Sequence, residues 1–373
     1  MSRINWKKVI GWGVAALVVI GVVGTNIYQK REQKGDRPIV KVGALYPMSG
    51  AAAVYGEAAQ KAADIFIEDF NKAHPNRKYD YKVIFEDVEM STSKAFSATH
   101  KLIALDKVDG VVSLFSSMAI AILPIAQREK ILNLVYGTDP RAADGEFTFR
   151  LAANMDILGD MYAKKMAEKG YKRVSMIIQS DDAGSVARSG AIEQAIKNQN
   201  LSLTGKHQVF PNDKDFTTLL FKIKEEKPDV ITVNVYPGIA DLLLLRMKHL
   251  EINIPGVGDG VVLSLNDKTL GEGSWVVDDG APNQDFISKM GTENTLYGEF
   301  IYTQLQIIAN AFENTPAKSG EKPDMLAVSK TLREKTAGME SPFGTIDMND
   351  KGEIYVPAVY KTIRNGKVEL LTE

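Results

Sequence analysis

The sequence predicts an α/β protein built as two lobes, each a doubly wound parallel sheet, joined by several chain crossings. Three observations lead there. Short apolar runs alternate with amphipathic helical patterns, the arrangement that builds parallel sheets covered by helices. The alternation starts twice. The two series also echo one another.

The first unit, IVKVGALYPMSGAAAVYGEAAQKAADIFIEDFNK at residues 39–72, joins a strand pattern (39–46) to a helix pattern (57–72) through a Gly/Pro/Ser loop. Such a loop turns backbone N–H groups toward a helix mouth, where anionic groups bind well. Further strand patterns follow at 81–86, 110–115 and 131–135, separated by helix patterns at 93–105 and 119–128, and residues 147–150 suit a short edge or crossover. The series restarts with strands at 174–179, 201–209, 230–235 and near 254–257, and helices at 156–169, 189–199, 215–226 and 239–250.

The last part departs from this rhythm. Helices are expected at 293–314 and 323–336, and a strand at 355–363 pairs with 367–371 across Asn365-Gly366. Asn-Gly favours the type I′ hairpin turn. The resulting division is a first lobe at 38–154, a second at 155–281, a return to the first at 282–345, and C-terminal strands returning to the second at 346–373. Crossings of this kind behave as a hinge.

A shift of 120 residues places Lys94, Phe96, Ile103, Lys107 and Asp109 on Lys214, Phe216, Ile223, Lys227 and Asp229. Both windows run helix, tight turn with Asp, apolar strand, loop. Ser116 and Tyr236 thereby fall at equivalent places, just past the carboxyl end of a strand. Open parallel sheets bind ligands at those ends.

Composition narrows the function. The 373 residues are 45% hydrophobic, enough for a sizeable core, and contain no cysteine, which excludes disulfides, thiol nucleophiles and thiolate metal sites. Residues 1–37 hold seven Lys/Arg and two Asp/Glu, so the remainder carries 38 bases against 45 acids. A basic nucleic-acid surface is therefore not the business of the folded part. Arg3, Lys7 and Lys8 precede residues 9–28, a mostly apolar run of 20 residues, the length that crosses a bilayer. Length favours an uncleaved N-terminal transmembrane helix, and 1–37 is assigned to anchor and linker. A cleaved signal peptide is the alternative, with Val22 and Gly24 as small residues near a cleavage point. Either way the rest is expected outside the cytoplasm.

Motifs for catalysis are missing. His74, His100, His207 and His249 are scattered without metal-ligand spacing, and no nucleophile elbow, Walker loop or dinucleotide fingerprint occurs. No metal, no cofactor and no enzymatic activity are expected. The acid pairs Glu86-Asp87 and Asp181-Asp182 each precede a helix and are read as capping groups. Ser116-Ser117 offers hydroxyls and N–H groups at a helix start, suited either to a carboxylate or to simple capping. Gly137-Thr138 follows the neighbouring strand, and its glycine lets backbone approach a ligand closely.

These features together resemble the solute-binding proteins of branched-chain amino acid ABC transporters, the Leu/Ile/Val-binding, type I periplasmic binding proteins. The resemblance rests on residues 39–56 with their PMSG and AVYG, Ser116-Ser117, Gly137-Thr138, the FRL at Phe149, Asp215-Phe216 and Pro228-Asp229, and covers roughly 39–372. It implies two lobes closing over a small solute that is passed to an ABC permease. It further implies that Tyr55, Ser116, Ser117, Gly137 and Thr138 hold a carboxylate from the first lobe, with Tyr236 and Asp259 facing an ammonium from the second. After Phe149-Arg150 the family commonly has an Asp; strict counting puts Met155 there, with Asp156 one step late. Ala183-Gly184 replaces the family's Tyr-Gly, removing an aromatic wall and enlarging or reshaping the cleft. The expectation is an exported binding protein for a small carboxylate or amino-acid-like ligand; the alternative is a membrane-tethered sensor.

Overall fold

A computed structural model describes residues 37–258 and 260–371. The first lobe opens with β1 (Ile39–Tyr46), α1 (Ala53–Ala73), β2 (Asp80–Asp87), α2 (Thr92–Lys101), β3 (Gly110–Leu114), α3 (Ser116–Glu129), β4 (Leu132–Tyr136) and β5 (Thr148–Ala152). The second holds α4 (Met155–Glu168), β6 (Arg173–Gln179), α5 (Ala183–Asn198), β7 (Ser202–Val209), α6 (Thr217–Glu226), β8 (Val230–Asn234), α7 (Pro237–His249), β9 (Gly256–Gly258) and β10 (Trp275–Asp279). The chain then crosses back through α8 (Gln284–Met290), α9 (Gly298–Asn314) and α10 (Met325–Lys335). It ends in the small hairpin of β11 (Glu340–Ser341) and β12 (Gly344–Thr345), then β13 (Asp347–Met348), β14 (Glu353–Tyr355), β15 (Ala358–Arg364) and β16 (Lys367–Leu370).

Strand order is β13-β14-β5-β4-β3-β1-β2 in one sheet and β16-β15-β10-β9-β8-β6-β7 in the other. The first five strands of each lobe follow the same order, so the internal echo in the sequence is an echo in topology: β3 and β8 occupy equivalent places, and their loops lead to Ser116 and Tyr236. The central strands are buried along their length, as parallel strands covered by helices must be. Helix α9 buries Phe300, Ile301, Leu305, Ile307, Ile308 and Phe312. A helix apolar on nearly every side belongs inside a protein, and α9 packs against α1 and the first sheet.

Three segments cross between lobes: 153–154, 280–283 and 356–357. Two expectations need correction. Residues 147–150, expected as a short edge or crossover, enter β5, an interior strand between β4 and β14 that leads into the crossing at 153–154, and its charged Arg150 is buried against Glu353 of β14 at 2.6 Å. The final return to the second lobe also comes later than residue 346, since β13 and β14 still extend the first sheet. The hairpin turn behaves as expected: Asn365 and Gly366 take φ of 52° and 68°, both positive as a type I′ turn needs. The apolar run 9–28 lies outside the described residues. Among the described residues, no helix is long and apolar enough to cross a membrane.

Candidate functional site

The first-lobe wall is set by the turn out of β3. Phe115 adopts φ 77° and ψ 130°, a costly conformation for a bulky residue, and this reversal launches α3 at Ser116. Buried Ser116 accepts the Asp139 N–H at 3.0 Å through its Oγ, which ties the β3 loop to the β4 loop. Gly137 is required by the same closeness: a Cβ there would lie 2.6 Å from Ser116 Oγ and 2.9 Å from Ser116 N. Thr138 follows with its hydroxyl turned to the other lobe.

The second-lobe wall comes from the turns after β6 and β8. Asp182 caps α5, its Oδ2 accepting the Ser185 N–H at 2.7 Å. Its Oδ1 accepts the Tyr236 hydroxyl at 2.7 Å, while the Tyr236 N–H donates to Gln179 Oε1 at 2.9 Å. Arg188, further along α5, is buried and reaches the Val277 carbonyl at 3.1 Å. The N-termini of α3, α5 and α7 thus converge, and the positive ends of their helix dipoles favour negative charge.

The two walls touch. Ser117 Oγ donates to Asp182 Oδ1 at 3.0 Å and accepts the Ala183 N–H at 3.0 Å, and Thr138 Oγ1 donates to the Gly184 carbonyl at 2.9 Å. Phe115 and Tyr236 bring their rings to 5.3 Å across the gap. Between them lies a cavity of about 50 Å³ lined by Phe115, Ser116, Tyr136, Gly137, Thr138, Asp182, Gly184, Ser185, Arg188, Tyr236 and Tyr297. That is far below the ~300 Å³ of a usual small-molecule site, so in this closed arrangement the lobes fill the cleft with their own side chains.

A single carboxylate organises the hinge beneath. Asp279, at the end of β10, accepts the Ala153 N–H of another crossing at 2.7 Å and the Tyr136 hydroxyl at 2.9 Å, and pairs with Arg188. Burial, and then the Asp279 charge, push the Tyr136 hydroxyl far above its usual range, so it donates as a neutral phenol. The first lobe, the second lobe and two crossings meet on these two oxygens.

Of the residues expected at the site, Ser116, Gly137, Thr138 and Tyr236 line the one cavity, and Ser117 bridges the lobes beside it. Tyr55 is buried behind the wall, its ring 6.1 Å from Phe115 and 5.8 Å from Tyr297, and supports rather than lines the cavity. Asp156 sits elsewhere. It is exposed in the first turn of α4, beside a separate surface depression with Arg150, Lys351 and Glu353, because Asn154 ends the crossing by capping that helix. Asp259 lies outside the described residues. The expected enlargement of the cleft where Ala183 replaces the family's Tyr is not seen in this closed arrangement, whose cavity is about 50 Å³. Gly184, which matches the family's Gly, lets the opposite lobe approach, since a Cβ on it would stand 3.0 Å from Thr138 Oγ1 and 3.2 Å from Asp182 Oδ2.

Sequence reasoning missed Asp182, Arg188, Tyr136, Tyr297 and Asp279. Asp182 does cap its helix, as expected, but it also takes two hydroxyls, Ser117 from across the cleft and Tyr236 from its own lobe. A charged Arg188 on the buried face of α5, with no acid three or four residues away along the helix, was the signal available for that residue.

Residues 39–360 match the periplasmic binding protein family. The chain belongs to that family. It is 22% identical over 342 residues to a Leu/Ile/Val-binding protein homolog of Brucella melitensis, covering 86% of this chain and 89% of the relative. The fold matches a leucine-binding protein of Thermotoga maritima with TM-score 0.79 at 19% identity, over 89% of this chain and 98% of that one. It also matches an R. palustris ABC transporter solute-binding protein in complex with benzoate, with TM-score 0.75 at 19% identity, over 89% and 95% of the two chains. At such identity these structures establish the shared fold.

Proposed function

We propose that this protein captures a small carboxylate-bearing solute, an amino acid or related compound, between its lobes and presents it to an ABC permease. The observation that carries this reading is the convergence of Ser116 and Thr138 from one lobe with Asp182, Arg188 and Tyr236 from the other on a single cavity. In the open state, the Ser116 hydroxyl, the amides near Gly137-Thr138 and the α3 N-terminus receive the ligand carboxylate. Closure then brings Tyr236 and Asp182 across it, with Asp259 a further acid for an ammonium. The ligand takes over polar contacts that the lobes otherwise make to each other, and exclusion of water strengthens each one. Relatives named for leucine, isoleucine and valine, and a neighbour holding benzoate, are consistent with a carboxylate as the shared feature.

The N-terminal run 9–28 would hold the protein on the periplasmic or extracellular face of the cytoplasmic membrane. Recovery in the membrane fraction after an alkaline wash supports the anchor; release of a shortened chain supports a cleaved signal. For the ligand, a thermal-shift screen against leucine, isoleucine and benzoate is decisive, since a ligand at a hundred times its Kd stabilises the folded form by about 2.7 kcal/mol. Ser116→Ala should weaken the best ligand at least tenfold, about 1.4 kcal/mol, the scale of one charge-assisted hydrogen bond. A screen without a carboxylate hit, or a Kd indifferent to Ser116→Ala, would defeat the assignment.

A further inference from the structure

A second and larger cavity lies beside the hinge, separated from the cleft by Tyr297, which lines both. Its volume is about 260 Å³, close to the size of small-molecule sites. Elements of both lobes enclose it: the loop into α9 and Glu299 from the first, β10, β15 and the segment near Leu263 from the second. The crossing at Ala281 and Pro282 forms part of its wall.

Its chemistry differs from that of the cleft. Asp278 and Glu299 are each 2% exposed, and Lys361 is the one base among the residues that line the cavity. Lys361 Nζ pairs with Asp278 Oδ2 at 2.7 Å, whereas Asp278 Oδ1 is buried without a hydrogen-bond partner. Glu299 Oε2 accepts the Thr295 hydroxyl at 2.5 Å. Two carboxylates therefore share one lysine, and the two further acids, Glu293 and Glu369, add negative charge at the wall. An uncompensated buried charge is costly, and a cation in the cavity would offset it. Burial raises the Glu299 carboxyl above its ordinary value, against the pull of Lys361 and the Thr295 hydroxyl, and a cation beside it would favour its charged form. The remaining wall is mixed: Leu263, Ile287, Leu296, Val368 and Leu370 supply apolar surface, interspersed with Ser264, Gln284 and Asn294.

We infer that this hinge cavity is a second ligand site, one that takes a small organic monocation: a primary ammonium head on Asp278 and Glu299, with an alkyl body against the apolar wall. The site stands independently of which solute enters the cleft. Because its walls belong to both lobes, an occupant ties Glu299 to Asp278 across the hinge and favours the closed arrangement. By reciprocity, the amine and the cleft solute then strengthen each other's binding.

The probe is n-hexylamine, with n-hexanol and hexanoate as partners of equal length. Titration calorimetry on the full chain should show saturable one-to-one binding of hexylamine, with hexanol and hexanoate at least tenfold weaker. Equal binding of all three, or none by hexylamine, overturns the inference without any variant being made. Asp278→Asn and Glu299→Gln should each weaken hexylamine at least tenfold, and Ser264→Trp, which fills the cavity without touching its charges, should abolish binding. If Asp278→Asn fails to fold, the other two decide. Hexylamine affinity unchanged in Glu299→Gln and Ser264→Trp places the amine elsewhere and defeats the site.

Discussion

Replacing Asp279 by alanine probes the hinge at the point where its parts converge. The carboxylate is 1% exposed and serves three donors: Ala153 N–H, Tyr136 hydroxyl and the guanidinium of Arg188, itself 3% exposed. Removing one partner of a buried ion pair leaves the other charge uncompensated, a loss of about 3–5 kcal/mol. The Ala153 amide and the Tyr136 hydroxyl lose an acceptor at the same time. Against a total stability of about 5–15 kcal/mol this is a large fraction. In urea, with a slope of about 3 kcal/mol per molar, the midpoint should fall by roughly 1 M or more. Charge, rather than lost volume, is the claimed cause, and a second substitution separates the two. Arg188→Met in the Asp279→Ala background removes the stranded cation, so the double variant should be more stable than Asp279→Ala alone, with a coupling energy well above the ~0.5 kcal/mol of independent sites. A single variant that loses less than about 1 kcal/mol, or a double variant that loses the sum of both singles, would refute the account of Asp279 as an electrostatic hub.

Other expectations follow from neighbouring geometry. Gly184→Val places atoms where Thr138 Oγ1 and Asp182 Oδ2 now stand within 3.0–3.2 Å of the added Cβ, so the lobes should be held apart; small-angle scattering should report a larger radius of gyration, and ligand affinity should drop tenfold or more. The Arg150–Glu353 pair joins β5 to β14. Burial pushes the Glu353 carboxyl up, but the hydrogen bond and charge of Arg150, with Asn349 and Tyr355, outweigh it and hold the group below its ordinary value. A depressed carboxylate stabilises the fold above the unfolded value of about 4.5, and that stability is lost as pH falls through the folded value. Urea midpoints measured at neutral and acidic pH should therefore converge in Glu353→Gln relative to the parent; an equal acid loss in both proteins would remove Glu353 as a contributor.

The parts of the fold that local pattern determines were legible. Residues 39–46 and 110–115 show buried strands as mostly apolar runs, broken by Lys41 and Gly43 in the first and by Ser113 in the second, and Asn365-Gly366 announces its own turn because Asn-Gly adopts two positive φ angles readily. What stayed hidden depends on partners remote in sequence. The interior place of the stretch around Arg150 was not legible, because the acid that pairs with it, Glu353, lies 203 residues away on a three-residue strand. The same reasoning explains the uneven reading of the site.

Groups held by local geometry, the strand-end pairs Ser116-Ser117 and Gly137-Thr138, announced themselves as small polar residues after apolar runs. Asp182 announced only half of its role, since capping α5 and receiving Ser117 and Tyr236 use different oxygens of one carboxylate. Asp156 shows the converse: strict counting puts Met155 at the family's acid position and Asp156 one step late, and one residue along a helix turns a side chain by about 100°, which leaves Asp156 on the outer surface. Residues that close a cleft must be satisfied in two arrangements of the lobes, so a local reason for each exists in the sequence and can be found there. The second reason arises only when another element arrives, and for Asp182, Arg188 and Asp279 that element is the opposite lobe or the hinge.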